Sequence, residues 1–281
     1  MINAQTRLCL LLGNPVKHSL SPTMHNSGFK ALSLNYAYLA AHVEEKRIGA
    51  AVEALRALSI AGANVTSPFK DAVIPFLDSV SAEAETIRSV NTIINREGSL
   101  HGLTTDGPGF CRSLKQAVSG YKIEQPCMII GAGGAARAVA YSLAREGAGE
   151  MYITNRSRGK AESLAGLIRS QTQLKLCTAV PLDAEALLPL LPHCRLFVYS
   201  LPTDHREFIE ALAESGIPFG DSLLFDLRYS PAESAVMKSF SQSGGKAFNG
   251  LGMLFWQAVI AFEEFTGQKA PLAAMRKAVE L

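Results

Sequence analysis

The chain has 281 residues, of which 48% are hydrophobic and 19% charged, with a formal net charge of +2. That length accommodates about two domains, and that composition excludes disordered and fibrous classes. A near balance of charge without basic runs argues against nucleic acid or an anionic membrane as a partner. Five scattered cysteines with no C-x-x-C pair read as reduced thiols, neither a disulfide framework nor a zinc site. The six histidines show no ligand spacing on a common helix, so no metal is expected.

Residues 8–12 form an apolar run ended by Gly13-Asn14-Pro15. The run is too short for a signal-peptide core and reads as a first buried strand, so export and membrane insertion are not expected and a cytoplasmic location is. Residues 16–26 open as a polar loop and become a helix, with Ser21 as its N-cap and Pro22 at the first helical position. His18, Ser19 and Ser21 crowd one turn, where they either cap the helix or offer hydroxyls to a polyol. A strand over 36–42 precedes an amphipathic helix over 45–58 with Val52, Leu55 and Leu58 on one side. A short strand then delivers Asn64, Thr66 and Lys70 into a turn containing Pro68. An amide, a hydroxyl and an amine so close together are unusual for a structural loop; the competing reading of Lys70 is a solvated surface lysine. Residues 80–87 look helical, and 90–95 and 100–103 pair as a hairpin about 96–99. The second of these strands runs into Thr104-Thr105-Asp106-Gly107. Asp106 reads equally as a cap for a helix over 110–118 and as a second catalytic group facing Lys70.

From residue 127 the pattern becomes regular. Strands fall near 127–130, 150–154, 175–179, 196–200 and 223–226, with helices near 135–145, 160–170, 184–190, 207–214 and 232–240. That alternation writes a doubly wound parallel sheet. At its first strand-to-helix turn stands Gly131-Ala132-Gly133-Gly134-Ala135-Ala136. The first glycine turns the chain, the second lets the backbone approach a pyrophosphate, and Ala136 lets the helix pack closely on the strand. The phosphates would meet the positive end of that helix. Where an NAD-binding fold places an acid on the next strand, this chain has Asn155, followed by Arg156, Ser157, Arg158 and Lys160, which favours NADP. Cations at a helix N-terminus oppose its dipole and want a counter-anion, which a 2′-phosphate supplies. After a break at 241–245, Asn249-Gly250-Leu251-Gly252-Met253 introduces a helix through 265, and a last helix closes the chain.

Taken together, these stretches resemble the shikimate dehydrogenase family and its quinate/shikimate dehydrogenase relatives. The resemblance is carried by Gly13-Asn14-Pro15 with His18-Ser19-Leu20-Ser21-Pro22, by Asn64-Val65-Thr66-Ser67-Pro68-Phe69-Lys70, and by Val90-Asn91-Thr92-Ile93. It continues through Thr105-Asp106-Gly107, Gly131-Ala132-Gly133-Gly134-Ala135, Asn155-Arg156-Ser157 and Gly250-Leu251-Gly252-Met253 with Gln257. It implies an α/β protein with an N-terminal α/β substrate domain over 1–108, onto which 249–281 packs back, and a Rossmann NADP domain over 109–248. It also implies reversible oxidation of shikimate to 3-dehydroshikimate, in aromatic amino acid biosynthesis, by a monomer or homodimer acting on a small ring acid.

Carried onto matching positions, Lys70 and Asp106 would be the catalytic pair. Ser19 and Ser21 would bind the substrate carboxylate, and Asn64, Thr66, Asn91 and Gln257 its hydroxyls, with Tyr229 nearby. Gly131, Ala132, Gly133, Gly134, Ala135, Asn155, Arg156, Ser157, Lys160, Gly250 and Met253 would hold the cofactor. The chain departs from the family pattern at 199–205, where Tyr-Ser-Leu-Pro-Thr-Asp-His replaces Asn-Ala-Thr-Pro-x-Gly-Met. It also departs at Arg88, where a glycine is usual, and at Thr104, where an asparagine is usual. These changes point to altered specificity or low activity. A quinate or other ring-acid dehydrogenase and a weakly active cofactor-binding regulator therefore stay open as alternatives.

Overall fold

The structure, a computed structural model, describes residues 2–280. The chain divides into two compact units: Met1–Phe110 with Leu254–Leu281, and Cys111–Met253. The first unit opens β1 (Arg7–Gly13), α1 (Ser21–Ala31), β2 (Tyr36–His42), α2 (Ile48–Ala57), β3 (Gly62–Val65) and β4 (Ser79–Val80). It continues through α3 (Ala82–Ile87), β5 (Thr92–Arg96) and β6 (Ser99–Leu103) into α4 (Asp106–Ala117). The second unit alternates β7 (Cys127–Ile130), α5 (Gly134–Arg145), β8 (Met151–Thr154), α6 (Arg158–Gln171), β9 (Cys177–Val180) and α7 (Ala184–Leu187). It goes on through β10 (Leu196–Tyr199), α8 (Arg206–Glu214), β11 (Leu223–Asp226), α9 (Ala235–Gln242) and β12 (Lys246–Phe248). Helices α10 (Leu251–Thr266) and α11 (Leu272–Lys277) end the chain. No helix among the described residues is long and apolar enough to cross a membrane.

The first sheet runs β2-β1-β3-β5-β6-β4, parallel over β2, β1 and β3, antiparallel over β3, β5 and β6, and parallel again between β6 and β4. Strand alternation sends the side chains of β1 to both faces. Cys9 and Leu11 pack with Met24, Phe29, Phe262 and Met275, whereas Leu12 packs with Val52, Leu55, Val65 and Ile93. The second sheet is wholly parallel in the order β12-β11-β10-β7-β8-β9. Read from β7, that order is the doubly wound one, with its switch point between β7 and β10, where such sheets bind ligands beyond the strand ends.

Several expected boundaries move, each for a physical reason. Helix α1 starts at Ser21, with Leu20 rather than Ser21 as N-cap; the Ser21 amide instead donates to Ser19 Oγ at 3.2 Å. Helix α4 begins four residues earlier than expected. Its first turn tolerates Gly107 and Pro108 because the first positions of a helix have no preceding turn to bond to and Pro108 has no N–H to lose, while the Gly109 amide donates to the Thr105 carbonyl at 2.9 Å. Gly109 is needed there, since a Cβ would lie 2.7 Å from the Gln257 amide nitrogen. The helix expected over 45–58 is a 3₁₀ turn, Glu45–Arg47, followed by α2. The short edge strands β4 and β12 carry no periodic apolar pattern that would announce them.

Candidate active site

In the first unit, the chain leaves β3 through Thr66, Ser67 and Pro68, and Phe69, 2% exposed, anchors the turn in the core. That anchor sets Lys70 at the sheet's end, where its carbonyl accepts from the Val90 amide at 2.8 Å. Lys70 Nζ lies 2.5 Å from Asp106 Oδ2, with the two side chains 17% and 7% exposed. Lys70 is therefore not a solvated surface lysine. Asp106 opens α4, whose N-terminal dipole also favours a carboxylate.

Behind this pair stands a saturated polar network. Asn91 Nδ2 donates to Asp106 Oδ1 at 2.8 Å and to Thr105 Oγ1 at 2.9 Å. Asn91 Oδ1 accepts from the Thr105 amide at 2.8 Å and from Thr92 Oγ1 at 3.1 Å. Asn64 Nδ2 donates to the Asn91 carbonyl and to Thr92 Oγ1, while Asn64 Oδ1 accepts from the Tyr38 hydroxyl at 2.8 Å. Both Nδ2 hydrogens of each asparagine are thus already committed, and the orientation of the Asp106 carboxylate is set by Asn91. Gly13 makes room for Thr66, because a Cβ there would fall 2.2 Å from Thr66 Cγ2. Ser19 and Thr66 are half-buried and Ser21 is buried. Gln257 is 8% exposed and its Nε2 donates to the Leu254 carbonyl at 2.8 Å.

Tyr38, Thr92 and Thr105 belong to this network although nothing in the sequence assigns them a role there. No local pattern marks the tyrosine either, since Tyr36 stands two residues away in the same strand. Behind Tyr38, the buried His25 ring stacks at 4.3 Å and 1°, with neither ring nitrogen hydrogen-bonded among the described residues. Burial lowers its pKa to about 3. At the departure near α3, Arg88 sits in the left-handed region at φ 49° and pairs with Asp71 at 2.9 Å, with both side chains exposed. The Thr104 hydroxyl is buried without a partner among the described residues.

In the second unit, the carboxyl ends of β7, β8 and β10 border an open cavity of about 510 Å³. Ala132 and Gly133 line it from the turn, Asn155, Arg156, Ser157 and Lys160 from the second strand, and Ser200, Leu201 and Pro202 from the third. Gly131 has φ +125°, and a Cβ there would crowd the Ser200 carbonyl at 3.1 Å, so conformation and space both require glycine. A Cβ on Gly133 would meet nothing within 4 Å, which leaves the backbone open to a ligand at the α5 N-terminus, where Gly134 and Ala135 begin the helix. Ala136 is fully buried.

Beyond β8, Asn155 Nδ2 donates to the Ser157 carbonyl at 3.0 Å, and Arg158 is taken up by Glu162 at 2.8 Å. Arg156 and Lys160 are exposed on the cavity and have no carboxylate partner among the described residues. The donor set therefore fits a dinucleotide carrying an extra phosphate. Gly250 is packed so closely that a Cβ would fall 2.1 Å from the Leu227 carbonyl oxygen, and Met253 is 8% exposed. Tyr229, expected beside the substrate, belongs to this second unit and is half-buried. Among the described residues, no cluster of three or more His, Cys, Asp or Glu could hold a metal.

Fold and site together define a two-unit α/β oxidoreductase with a Rossmann domain for a pyridine dinucleotide. Comparison with known proteins gives the family. Residues 11–93 match the shikimate dehydrogenase substrate binding domain, 114–184 the shikimate/quinate 5-dehydrogenase family, and 250–280 the shikimate 5′-dehydrogenase C-terminal domain. The chain is similar to the shikimate dehydrogenase (NADP⁺) of Carboxydothermus hydrogenoformans, 41% identical over 100% of this chain and 99% of that one. Among solved structures it resembles the shikimate 5-dehydrogenase of Listeria monocytogenes in complex with shikimate and NAD, with a TM-score of 0.88, 34% identity, and coverage of 99% of this chain and 98% of that one. It also resembles the Thermus thermophilus enzyme in complex with NADP(H) and shikimate, with a TM-score of 0.84, 32% identity, and coverage of 98% and 99%. The chain belongs to the shikimate dehydrogenase family. The unusual loop at 199–205 lies between the matched stretches.

Proposed function

We propose that the protein catalyses the reversible, NADP-dependent oxidation of the shikimate C3 hydroxyl to the ketone of 3-dehydroshikimate, a cytoplasmic step of aromatic amino acid biosynthesis. The observation that carries this reading is the Lys70–Asp106 pair at 2.5 Å, oriented by Asn91, in a chain related to shikimate dehydrogenases over its full length.

Bound NADP⁺ supplies the hydride acceptor, and Gly131 to Ala135, Asn155, Arg156, Ser157, Lys160, Gly250 and Met253 are the residues proposed to hold it. When hydride leaves the carbon, the hydroxyl proton must leave the oxygen. Lys70 Nζ stabilises the alkoxide-like oxygen, and Asp106 holds the amine against it; the pair receives and passes on the proton as one group. Ser19 and Ser21 are proposed for the ring carboxylate, Asn64, Thr66, Asn91 and Gln257 for the ring hydroxyls, and Tyr229 as their neighbour. Because both Nδ2 hydrogens of Asn64 and Asn91 already have acceptors, each amide would have to exchange a hydrogen bond in order to donate one to substrate. A monomer or homodimer suffices for this chemistry.

The test is spectrophotometric: initial rates with shikimate and quinate, each with NADP⁺ and NAD⁺. A preference for shikimate with NADP⁺ is the expected result. Faster turnover of quinate would move the reading to a ring-acid paralogue, and no turnover despite cofactor binding would overturn it in favour of a regulator.

A further inference from the structure

We infer that Arg228 is a positioning residue that clasps the loop 199–205 through Asp204 and thereby holds Ser200, Leu201 and Pro202 as a wall of the dinucleotide cavity. The inference rests on the reading of that cavity as the NADP site. Three observations carry it. Tyr199, the last residue of β10, is fully buried, and its hydroxyl donates to the Thr203 carbonyl at 2.8 Å, which closes the loop on itself. The Arg228 guanidinium lies 5.0 Å over the Tyr199 ring, while Nη2 stands 2.6 Å from Asp204 Oδ1 and 2.6 Å from Asp226 Oδ2. Asp226 ends β11 with no exposure and takes a second bond from Arg228 Nε at 2.9 Å, so the guanidinium is itself locked.

One planar cation thus ties the loop after β10 to the end of β11, a geometry that a bidentate guanidinium supports and an amine does not. The backbone adds a second seam, with the Leu227 amide donating to the Tyr199 carbonyl at 2.8 Å. Two of the three residues this loop presents to the cavity, Leu201 and Pro202, have apolar side chains. They offer a ligand no side-chain hydrogen bond that could order the loop from the front. Order comes from behind: Arg228 holds Asp204 at 2.6 Å, beside the Tyr199 hydroxyl on Thr203 and a longer bond of 3.4 Å from the Ala235 amide to Asp204 Oδ2.

Removing Arg228 would strand the buried Asp226 carboxylate, so Asp204, 36% exposed, is the better position to change. Asp204→Ala opens the clasp and leaves the Arg228–Asp226 pair in place. The measurements are calorimetric binding of NADP⁺, the KM for shikimate, and Tm. Asp204→Ala is expected to weaken NADP⁺ binding about 5- to 20-fold. The shikimate KM should stay within about twofold and Tm within about 3 °C, and Asp204→Glu should recover most of the affinity. NADP⁺ affinity equal to wild type in Asp204→Ala overturns the inference. So does a loss that Asp204→Glu does not recover, or one matched by an equal loss for shikimate and a collapse of Tm. A wild-type protein that fails to bind NADP⁺ overturns the reading of the cavity and the inference with it; normal binding by both proteins overturns the inference alone.

Discussion

The two candidate sites are built on opposite principles. Around Lys70 and Asp106 in the first unit, the polar atoms of Asn64 and Asn91 are buried and already hydrogen-bonded within the chain. Around the glycine turn in the second unit, Arg156 and Lys160 stand exposed at an open cavity, without a carboxylate partner among the described residues. A site that does proton chemistry needs its groups fixed before substrate arrives, because orientation is part of the barrier. A site that holds a polyanion needs unneutralised charge, and it can leave final order to the ligand. The same distinction predicts how each site fails.

The largest effect is expected at the pair itself. Lys70→Ala should lower kcat by roughly 10²–10⁴ with NADP⁺ affinity unchanged. Near-normal turnover, measured at saturating substrate, would remove the pair from the chemistry. Asn91→Ala comes next, since it strands the buried Asp106 Oδ1 and the Thr105 amide. Unpartnered buried groups cost about 1–3 kcal/mol each, so a lower denaturation midpoint should accompany a kcat reduced about tenfold. If the midpoint moves and kcat does not, Asn91 serves the fold and not Asp106.

On the other side of the comparison, Arg156→Gln with Lys160→Gln should raise the KM for NADP⁺ about 10- to 100-fold and leave kcat within about twofold. Steady-state rates with NAD⁺ should barely change. An equal loss for both dinucleotides would show that these cations do not read the 2′-phosphate.

The smallest effect concerns the wall behind the catalytic network. His25 has its folded pKa lowered to about 3 by burial, against 6.5 unfolded, so the unfolded chain binds the extra proton between those values. Its neutral form stabilises the fold fully above pH 6.5, and that contribution is lost as pH falls toward 3. At pH 5 the loss should be about 2 kcal/mol relative to pH 7.5, read from urea unfolding. His25→Phe should flatten this acid limb, and an unchanged slope would relieve His25 of the role.

Legibility in the sequence divides along the same line. The parallel sheet, the glycine turn and the sign of charge after β8 are local patterns, written within a few residues of one another. Asp106 was ambiguous because its partner Lys70 lies 36 residues away and its orienting amide 15 away. Arg228 gave no signal at all, since nothing in a lysine- and arginine-containing chain marks Asp204, 24 residues earlier, as its partner. The atypical loop stood out only as a departure from a family pattern; its closure by the Tyr199 hydroxyl is a tertiary fact.

By itself, then, the sequence determined the alternation of elements, the dinucleotide turn and the inventory of candidate groups, because backbone periodicity and glycine sterics are local. Tertiary structure alone decided which groups meet. A hydrogen bond of 2.8 Å between distant residues depends on strand register and helix starts, such as the early start of α4, that no short window contains.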